Sequence, residues 1–371
     1  MTVTVPARPG DPIDAVDTPA LLLDLDAFER NLGGVHAYAR ARGVAVRSHG
    51  KAHKCSEIAR RQVAAGAVGV CCQKVGEAEV FVEGGVRDVL VSNVVVGASK
   101  ARRLAALAAR ARVAVCVDSA VQVEQLAAAA RAAGAPLDVL IEVDVGARRC
   151  GVTSPEEALA LAERVAAQAP WLSLRGLQAY HGGAQHKRTP EERAHAIARA
   201  ASLASQVRTA LVAAGHPCAV VTGAGTGSYR HEIASGVWNE LQPGSYVLMD
   251  ADYALNTPDP DVPALAHALT VLCTLITVRP DHAVLDGGLK TFAVDSGKPR
   301  MLLSGWRTGS ISDEHTVVEP EDGAVPLAVG QKVALVPGHC DPTVNLHDWI
   351  VATRAGRVEA VWAVDARGAL F

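Results

Sequence analysis

The sequence has few aromatic residues and no long apolar run. Aromatic residues make up 4% of the 371 residues, whereas apolar residues make up 49%, which predicts a core built mainly from aliphatic side chains. No apolar run reaches the roughly 20 residues that a membrane-spanning helix needs. Residues 1–5 also lack the apolar stretch that opens a secretory signal. We therefore predict a globular, cytoplasmic protein.

The sequence also lacks a large net charge and CxxC cysteine pairs. The formal net charge is −3 and no block of like charges occurs, which argues against nucleic acid or an anionic membrane as the main partner. The eight cysteines form no CxxC pair and are too sparse for a disulfide scaffold. Several of them, such as Cys116 and Cys273, stand inside apolar runs, where cysteine serves as a small apolar residue.

Most of the chain alternates between short apolar runs and alanine-rich amphipathic segments. A strand at 20–26 runs into a helix capped by Asp24 or Asp26. The apolar runs that follow are nearly continuous, which is typical of strands buried on both faces of a parallel sheet. Eight such strands alternating with helices predict a (β/α)8 barrel, with a doubly wound sheet as the alternative. The eight strands are predicted at 43–47, 68–73, 88–93, 112–117, 137–144, 173–179, 219–224 and 240–247.

The pattern changes after residue 256. Residues 257–263 are rich in proline and aspartate and indicate a linker. Beyond them, short runs of β-forming residues are separated by Gly, Asp and Pro, which predicts a separate all-β domain. We expect an arm at 1–17 that joins this domain, a barrel at 18–256 and the β domain at 257–371. The runs of β-formers lie at 266–279, 283–286, 314–318, 331–336, 349–354 and 357–364.

Polar or glycine-rich residues follow every predicted barrel strand. Since the C-terminal ends of the strands form the functional face of such barrels, these residues are the candidates for a site. The first strand leads to Lys51 between His49 and His53. Neighbouring positive charges lower the pKa of a lysine and leave more free amine to attack a carbonyl. A solvated basic loop is the alternative, and we expect Lys54 to be solvated at the start of the next helix.

Two small-residue loops follow the last two strands of the predicted barrel. The loop at 222–228 leads into a short helical segment, and residues 244–246 form the second loop. Backbone N–H groups of such loops bind phosphate, and the loops after strands seven and eight are its usual place in a barrel. A tight turn without a ligand is the alternative for the first loop. A lysine opposite a phosphate cradle points to pyridoxal phosphate, whose aldehyde reacts with an amine.

Two motifs resemble those of a known family. His49-Gly50-Lys51-Ala52-His53-Lys54 and the segment from Asp144 to Gly151 resemble the D-threonine aldolase and D-serine dehydratase family of alanine-racemase-like, pyridoxal phosphate-dependent barrels. The resemblance covers essentially the whole chain and implies that Lys51 holds the cofactor and Arg149 lies beside its ring. The implied cofactor-binding residues are Lys51, Arg149, Gln178, Tyr180, Thr222, Gly223, Gly225, Thr226, Gly227, Gly244, Ser245 and Tyr246.

A second donor set stands in the predicted β domain. His339 and Asp341 are two residues apart, so on an extended segment their side chains point the same way and can share a metal, with Cys340 facing away. A polar turn before Pro342 is the alternative. The family resemblance favours the metal pair, and an aspartate at 341 suits Mn²⁺ or Mg²⁺ more than Zn²⁺.

The resemblance implies an aldehyde-lyase that splits a 3-hydroxy-D-amino acid into glycine and an aldehyde. His181 and His186 follow the sixth strand and are the candidates for the base that takes the hydroxyl proton, although each is equally explained as a loop histidine. Dehydration of D-serine or 3-hydroxy-D-aspartate is the first alternative. An amino-acid racemase and a non-enzymatic carrier of the cofactor are further ones. The resemblance also implies a homodimer.

Overall fold

The structure, a computed structural model, describes residues 4–371. A short 3-10 turn at Ile13–Ala15 precedes strand β1, Ala20–Asp24, and helix α1, Leu25–Arg40. The side chain of Asp24 accepts a hydrogen bond from the Ala27 N–H and caps α1, as the sequence predicts. The sequence-based division placed this strand with the barrel, whereas β1 lies in the second sheet of the protein.

The next eight strands form a closed parallel barrel, which confirms the predicted fold class. They are β2 Ala45–His49, β3 Gly69–Cys72, β4 Asp88–Val94, β5 Arg112–Val117, β6 Leu137–Glu142, β7 Leu172–Ala179, β8 Val220–Gly223 and β9 Glu240–Leu241. The helices between them are α2 Ser56–Ala64, α3 Val75–Glu83, α4 Ala98–Ala108, α5 Ala120–Ala133, α6 Pro155–Ala166, α7 Pro190–Ala213 and α8 Tyr229–Ser235. Seven strands lie within two residues of their predicted bounds, because burial on both faces leaves a strong local signal. The eighth, predicted to run to 247, ends at Leu241.

Two layers of apolar side chains explain the continuous apolar runs. Successive side chains of a strand point to opposite faces, so Val70 and Cys72 of β3 pack with the outer helices. Cys71, which lies between them in β3, points to the other face. It joins Leu90, Cys116 and Leu140 of the neighbouring strands in a separate small cluster in the barrel interior. The prediction that most cysteines are structural agrees with the burial of seven of the eight, all of which are free thiols.

Ion pairs close the N-terminal end of the barrel. Arg47 on β2 contacts Asp88 at 2.6 Å and Glu240 at 2.9 Å, and Arg112 on β5 contacts Asp138 at 2.9 Å. The charges of opposite sign compensate one another across neighbouring strands. This end is therefore sealed, and the open face lies at the C-terminal ends of the strands.

The second part of the chain adds eight strands to β1 in a nine-stranded sheet. They are β10 Leu269–Val278, β11 Ala283–Leu285, β12 Arg300–Met301, β13 Trp306–Ile311, β14 Thr316–Pro320, β15 Lys332–Val336, β16 Trp349–Arg354 and β17 Arg357–Ala363, with a short helix α9, Cys340–Val344, after β15. Strand β1 is antiparallel to β10 and parallel to β16. The sequence predicts six of the strands, whereas β12 and β13 were missed because they are short or mostly polar.

The N-terminal arm contacts this sheet. The Gly10 N–H donates to the Val358 carbonyl at 2.8 Å, and Pro12 forms a bridge with Arg357. These contacts agree with the predicted arm, of which residues 1–3 lie outside the described part of the chain. Among residues 4–371, no helix has both the length and the apolar character needed to span a bilayer.

The barrel and the sheet share one apolar core. Phe28 of α1, Ile58 of α2 and Val247 beyond β9 belong to the same buried cluster as Val271 and Leu335 of the sheet. Backbone hydrogen bonds also cross between the two parts, from Ala251 N to Pro337 O at 3.0 Å and from Asp252 N to Gly338 O at 3.2 Å. The segment before α9 is thereby fixed against the open end of the barrel.

Candidate active site

A cavity of about 310 Å³ lies at the C-terminal ends of the barrel strands. Eight of the residues that the sequence assigns to the cofactor line it, namely Lys51, Arg149, Gln178, Tyr180, Gly225, Thr226, Gly244 and Ser245. Its remaining lining residues are His49, Gln73, Ser92, Gln242 and Tyr253. The structure thus gathers residues from distant parts of the chain on the face where the barrel prediction places the site.

Lys51 lies in a 3-10 turn, Gly50–Ala52, directly after β2. Its ammonium group forms an ion pair with the carboxylate of Asp341, which comes from the second part of the chain. Burial alone would lower the pKa of Lys51, but the charge of Asp341 outweighs it and holds the pKa above its ordinary value. The expectation that basic neighbours lower this pKa is therefore wrong for this state, because the sequence does not show that Asp341 lies beside Lys51.

The ring of His49 fills the space beside Lys51. Its Nε2 lies 3.0 Å from the Gln73 amide nitrogen and 3.2 Å from the Ser92 hydroxyl, and its Nδ1 accepts the Lys51 N–H at 3.4 Å. Burial, and next the charge of Lys51, lower the pKa of His49 well below its ordinary value. A neutral His49 is thus a positioned hydrogen-bonding group of the cavity wall.

Arg149 and Tyr180 also line the cavity. The guanidinium carbon of Arg149 lies 5.7 Å from the centre of the Tyr180 ring, within the range of a cation–π contact. Burial raises the pKa of Tyr180 although Lys51 and Arg149 oppose this effect, so its phenol stays protonated. Below them, the amides of Gln178 and Gln242 are hydrogen-bonded at 2.7 Å. These polar groups can hold and orient a flat, polar ring.

The predicted phosphate loops supply the floor at one end of the cavity. Gly225 and Thr226 precede α8, and Gly244 and Ser245 follow β9. The buried Thr226 Oγ1 has no hydrogen-bond partner among the described residues. Since a buried hydroxyl is normally satisfied, this atom indicates a polar group that the loop is built to receive. The residue types of the cavity therefore fit pyridoxal phosphate. Lys51 can react with its aldehyde, and the loop with Thr226 can bind its phosphate.

Four of the assigned cofactor residues do not line the cavity. Thr222 accepts a hydrogen bond from Gln242 within the barrel, and the Gly227 N–H donates to the Gln185 side chain at 3.0 Å. Gly223 has a φ of 157° and approaches Ala179 so closely that a Cβ would lie 2.1 Å from its carbonyl oxygen. Tyr246 is buried, with its hydroxyl 2.9 Å from Ser48 and 3.0 Å from His36. Both predicted loops contribute residues to the cavity, but the sequence does not show which way each residue faces.

The proposed metal pair stands at the rim of the cavity. His339 Nδ1 lies 2.7 Å from Asp295, while Asp341 contacts Lys51 and accepts from Ser245 at 3.1 Å. The segment is not extended throughout, as the sequence-based argument assumed, because α9 begins at Cys340. Cys340 does not face away from the pair as expected, because it is buried with its Sγ 3.4 Å from the Asp341 carboxylate.

The donor types fit a divalent cation, although the two groups alone do not make a complete site. Burial would raise the pKa of Asp341, but Lys51 and, less strongly, His339 hold it well below its ordinary value, so the carboxylate is ionised. An imidazole and an ionised carboxylate are suitable ligands for Mn²⁺ or Zn²⁺. Within residues 4–371, no group of three or more His, Cys, Asp or Glu side chains is arranged to hold a metal ion.

Neither of the two candidate histidines lines the cavity. His181 is half-buried beside Gly146, where a Cβ on that glycine would lie 3.0 Å from the His181 ring. His186 lies 2.5 Å from Asp252 through Nδ1, and its ring centre is 5.0 Å from that of Tyr253. Since Tyr253 lines the cavity, His186 is one layer from the site.

Tyr253, Gln242 and Asp250 are site residues that the sequence reasoning missed. Gln242 directly follows β9, and the strand predicted to run to 247 concealed it. Asp250 is fully buried, and its carboxylate accepts from the Tyr253 N–H and the Cys340 N–H, both at 2.9 Å. It thereby connects the cavity wall to the segment that carries His339 and Asp341. An aspartate with such distant partners leaves no pattern in the sequence.

Comparison with known proteins agrees with this geometry. The family described as alanine racemase, N-terminal domain matches residues 23–252, and the one described as putative serine dehydratase domain matches residues 268–353. A D-threonine aldolase from Arthrobacter sp is 48% identical over 98% of this chain and 96% of its own length, and a 3-hydroxy-D-aspartate aldolase from Paracoccus denitrificans (strain Pd 1222) is 45% identical over 98% and 95%. The crystal structure of D-threonine aldolase from Filomicrobium marinum superposes with a TM-score of 0.96 at 49% identity and covers 100% of both chains. The chain therefore belongs to the D-threonine aldolase and D-serine dehydratase family of alanine-racemase-like barrels.

Proposed function

We propose that the protein is a pyridoxal phosphate- and divalent metal-dependent aldolase that cleaves 3-hydroxy-D-amino acids into glycine and an aldehyde. The observation that carries the proposal is the position of Lys51, which shares one cavity with the unpartnered Thr226 hydroxyl and contacts Asp341. The near full-length similarity to two aldolases supports the reaction type.

The residues of the cavity have distinct tasks in this proposal. Lys51 is the amine that would hold the cofactor, and the loops with Thr226 and Ser245 would bind its phosphate. Arg149 and Tyr180 orient the ring from one side, while His49 is held in place by Gln73 and Ser92. Pyridoxal phosphate, when bound, supplies the electron sink that the cleavage of the Cα–Cβ bond requires.

The second part of the chain contributes the groups that act on the 3-hydroxyl. His339 and Asp341 would hold a divalent cation, with Mn²⁺ preferred over Mg²⁺ or Zn²⁺, whose chemistry there is to acidify the hydroxyl. Of the two histidines, His186 is the better candidate for the proton acceptor, because its ring contacts that of cavity residue Tyr253, with 5.0 Å between the ring centres. Asp252 contacts Nδ1 of His186 and leaves Nε2 for that proton.

Dehydration is the alternative that a specific finding favours, because residues 268–353 match a putative serine dehydratase domain. In that reaction the 3-hydroxyl leaves rather than loses its proton. The carboxylate of Asp341, in place of the softer thiolate that the family's dehydratases typically carry, favours a harder cation and the aldolase. Two further predictions from the sequence, a homodimer and a cytoplasmic location, stay predictions.

One assay separates the two reactions. The protein is incubated with pyridoxal phosphate, Mn²⁺ and D-threonine, and the products are identified by mass spectrometry. We expect glycine and acetaldehyde in equal amounts, whereas ammonia and 2-oxobutanoate would show the dehydratase. Lys51→Ala should remove the near-visible absorbance of the bound cofactor, and an unchanged spectrum would refute the assignment of Lys51.

A further inference from the structure

Lys54 is buried and paired, in contrast to the solvated side chain expected from the sequence. Its side chain is 7% exposed and its Nζ lies 2.5 Å from Oε1 of Glu77, whose side chain is 2% exposed. Lys54 also has a φ of 47°, a left-handed conformation that is unfavourable for a residue other than glycine. The fold maintains an unusual backbone conformation and a buried ion pair three residues after Lys51.

The carboxylate of Glu77 joins two loops of the active site. Its second oxygen accepts the N–H groups of Gln73 at 2.8 Å and Lys74 at 3.1 Å, at the start of α3. The ion pair with Lys54 therefore ties the turn after β2 to the loop after β3. The first of these loops presents Lys51 to the cavity, and the second presents Gln73.

The turn between Lys51 and Lys54 is short and closely held. The Lys54 N–H donates to the Gly50 carbonyl at 2.8 Å, and the Lys54 carbonyl accepts from Ala366 at 2.9 Å. Gly50 itself has no room for a side chain, since a Cβ there would lie 2.5 Å from the Phe81 ring. A displacement of Lys54 is therefore transmitted through a single 3-10 turn to the backbone of Lys51.

We propose that Lys54 and Glu77 are positioning residues that hold Lys51 in the orientation needed to bind the cofactor. The proposal rests on the assignment of Lys51 as the cofactor-binding amine. A pair of purely structural importance would contribute to stability alone. A positioning pair must also change the chemical behaviour of Lys51, which neither Lys54 nor Glu77 contacts directly.

The test compares Lys54→Met and Glu77→Gln with a control that loses a different buried ion pair. Arg47 lies on β2, the strand that leads to Lys51, and pairs with Glu240 at the sealed end of the barrel. Glu240→Gln removes the charge of this partner. Binding of pyridoxal phosphate is measured from the absorbance of its Lys51 adduct, and stability is measured by thermal unfolding. We expect at least tenfold weaker cofactor binding in Lys54→Met and Glu77→Gln, near-parent binding in Glu240→Gln, and lower melting temperatures in all three.

Two further measurements keep the outcome clear. Lys54→Arg keeps the charge that pairs with Glu77. We expect its cofactor binding to stay within about threefold of the parent, a difference of less than about 1 kcal/mol. In cofactor-free protein, labelling of Lys51 with formaldehyde and cyanoborohydride should be at least threefold faster in Lys54→Met, because the amine leaves its partner Asp341. This second readout tests the pair even if Lys51 proves not to bind the cofactor.

Equal cofactor binding and equal labelling of Lys51 in the parent and in Lys54→Met would overturn the proposal. A loss of cofactor binding in Glu240→Gln as large as in Glu77→Gln would overturn it too, because the loss of any buried ion pair in the barrel would then suffice. If Lys54→Met does not fold, the double variant Lys54→Met/Glu77→Gln, which leaves no unpaired buried charge, takes its place with the same expected results.

Discussion

The pKa of the Glu142 carboxyl in the folded barrel differs strongly from that of a free side chain. It ends β6 and is 4% exposed, and its Oε2 has no hydrogen-bond partner within residues 4–371. Burial raises the pKa of this carboxyl to about 8, although Arg149 opposes the shift. The folded protein therefore keeps Glu142 neutral over most of the physiological range, whereas in the unfolded chain its pKa is near the ordinary value of 4.5.

This difference predicts how stability depends on pH. Because the folded state holds the proton of Glu142 and the unfolded state releases it, the free energy of unfolding falls as the pH rises from about 4.5 to 8. Glu142→Gln stays neutral in both states. We expect it to be more stable than the parent at pH 8.5 by up to about 5 kcal/mol, since one unit of pKa difference corresponds to about 1.4 kcal/mol, and about equally stable at pH 4.5.

Urea unfolding of both proteins at the two pH values checks this prediction. Burial also raises the pKa of Glu232 to about 7, so the parent's own pH profile contains more than one group. The difference between variant and parent isolates Glu142. A difference that does not change between pH 4.5 and pH 8.5 would show that Glu142 ionises in the folded state as it does in the unfolded chain.

At the scale of single elements, the loop before α8 depends on close packing against Gln185. A Cβ on Gly227 would lie 2.1 Å from the Gln185 carbonyl oxygen, and one on Gly225 would lie 2.4 Å from its Oε1. Gln185 also donates to Ser228 at 2.6 Å. The backbone of the proposed phosphate loop is thus shaped by a buried amide that does not line the cavity.

Gly227→Ala should therefore weaken cofactor binding without unfolding the barrel. The new methyl group meets a backbone atom that cannot move away easily, so the loop with Thr226 must shift. We expect at least a tenfold rise in the dissociation constant of pyridoxal phosphate, about 1.4 kcal/mol, measured by absorbance titration.

The matched control is Gly33→Ala in α1. No heavy atom of the described residues lies within 4 Å of a Cβ there, and replacing a helical glycine by alanine typically adds about 0.5–1 kcal/mol of stability. This variant should bind the cofactor as the parent does and melt at a slightly higher temperature. Equal binding by Gly227→Ala and Gly33→Ala would mean that the loop accommodates the methyl group.

At the scale of the whole molecule, the barrel and the second sheet form one cooperative structure. Strand β1 precedes the barrel in sequence but pairs with β10 and β16, which lie more than 240 residues later. Phe28 and Leu335 belong to one continuous buried cluster, although they lie in different parts of the chain. Separating the two parts would expose much of this apolar surface to water.

We therefore expect one cooperative unfolding transition for the cofactor-free protein. Urea unfolding is followed by far-ultraviolet circular dichroism and by tryptophan fluorescence, which reports on Trp171 and Trp238 in the barrel part and on Trp306, Trp349 and Trp362 in the sheet. The two midpoints should coincide. Two separated transitions would show that the barrel and the sheet are stable independently, in spite of the shared core.

The sequence determines the local elements well. Seven of the eight barrel strands were predicted to within two residues at both ends, because apolar runs bounded by turn residues are a short-range signal, whereas β9 was predicted too long. Polar residues at the strand ends marked Lys51 and Thr226 as candidates, and the family resemblance added Arg149; all three line the cavity. The motif around Lys51 and the small-residue loops indicate pyridoxal phosphate as the cofactor.

Only the tertiary structure decided which distant groups meet. The pairing of Lys51 with Asp341 reverses the expected direction of the lysine pKa, and the burial of Lys54 against Glu77 reverses its expected exposure. Tyr246 lies in the core and Tyr253 in the cavity wall, although both follow the last barrel strand. Such outcomes depend on long-range packing and on burial of charge, which residue order and spacing do not contain. The sequence by itself thus determined the fold and the type of site, and the folded chain determined the partners and the protonation states of its residues.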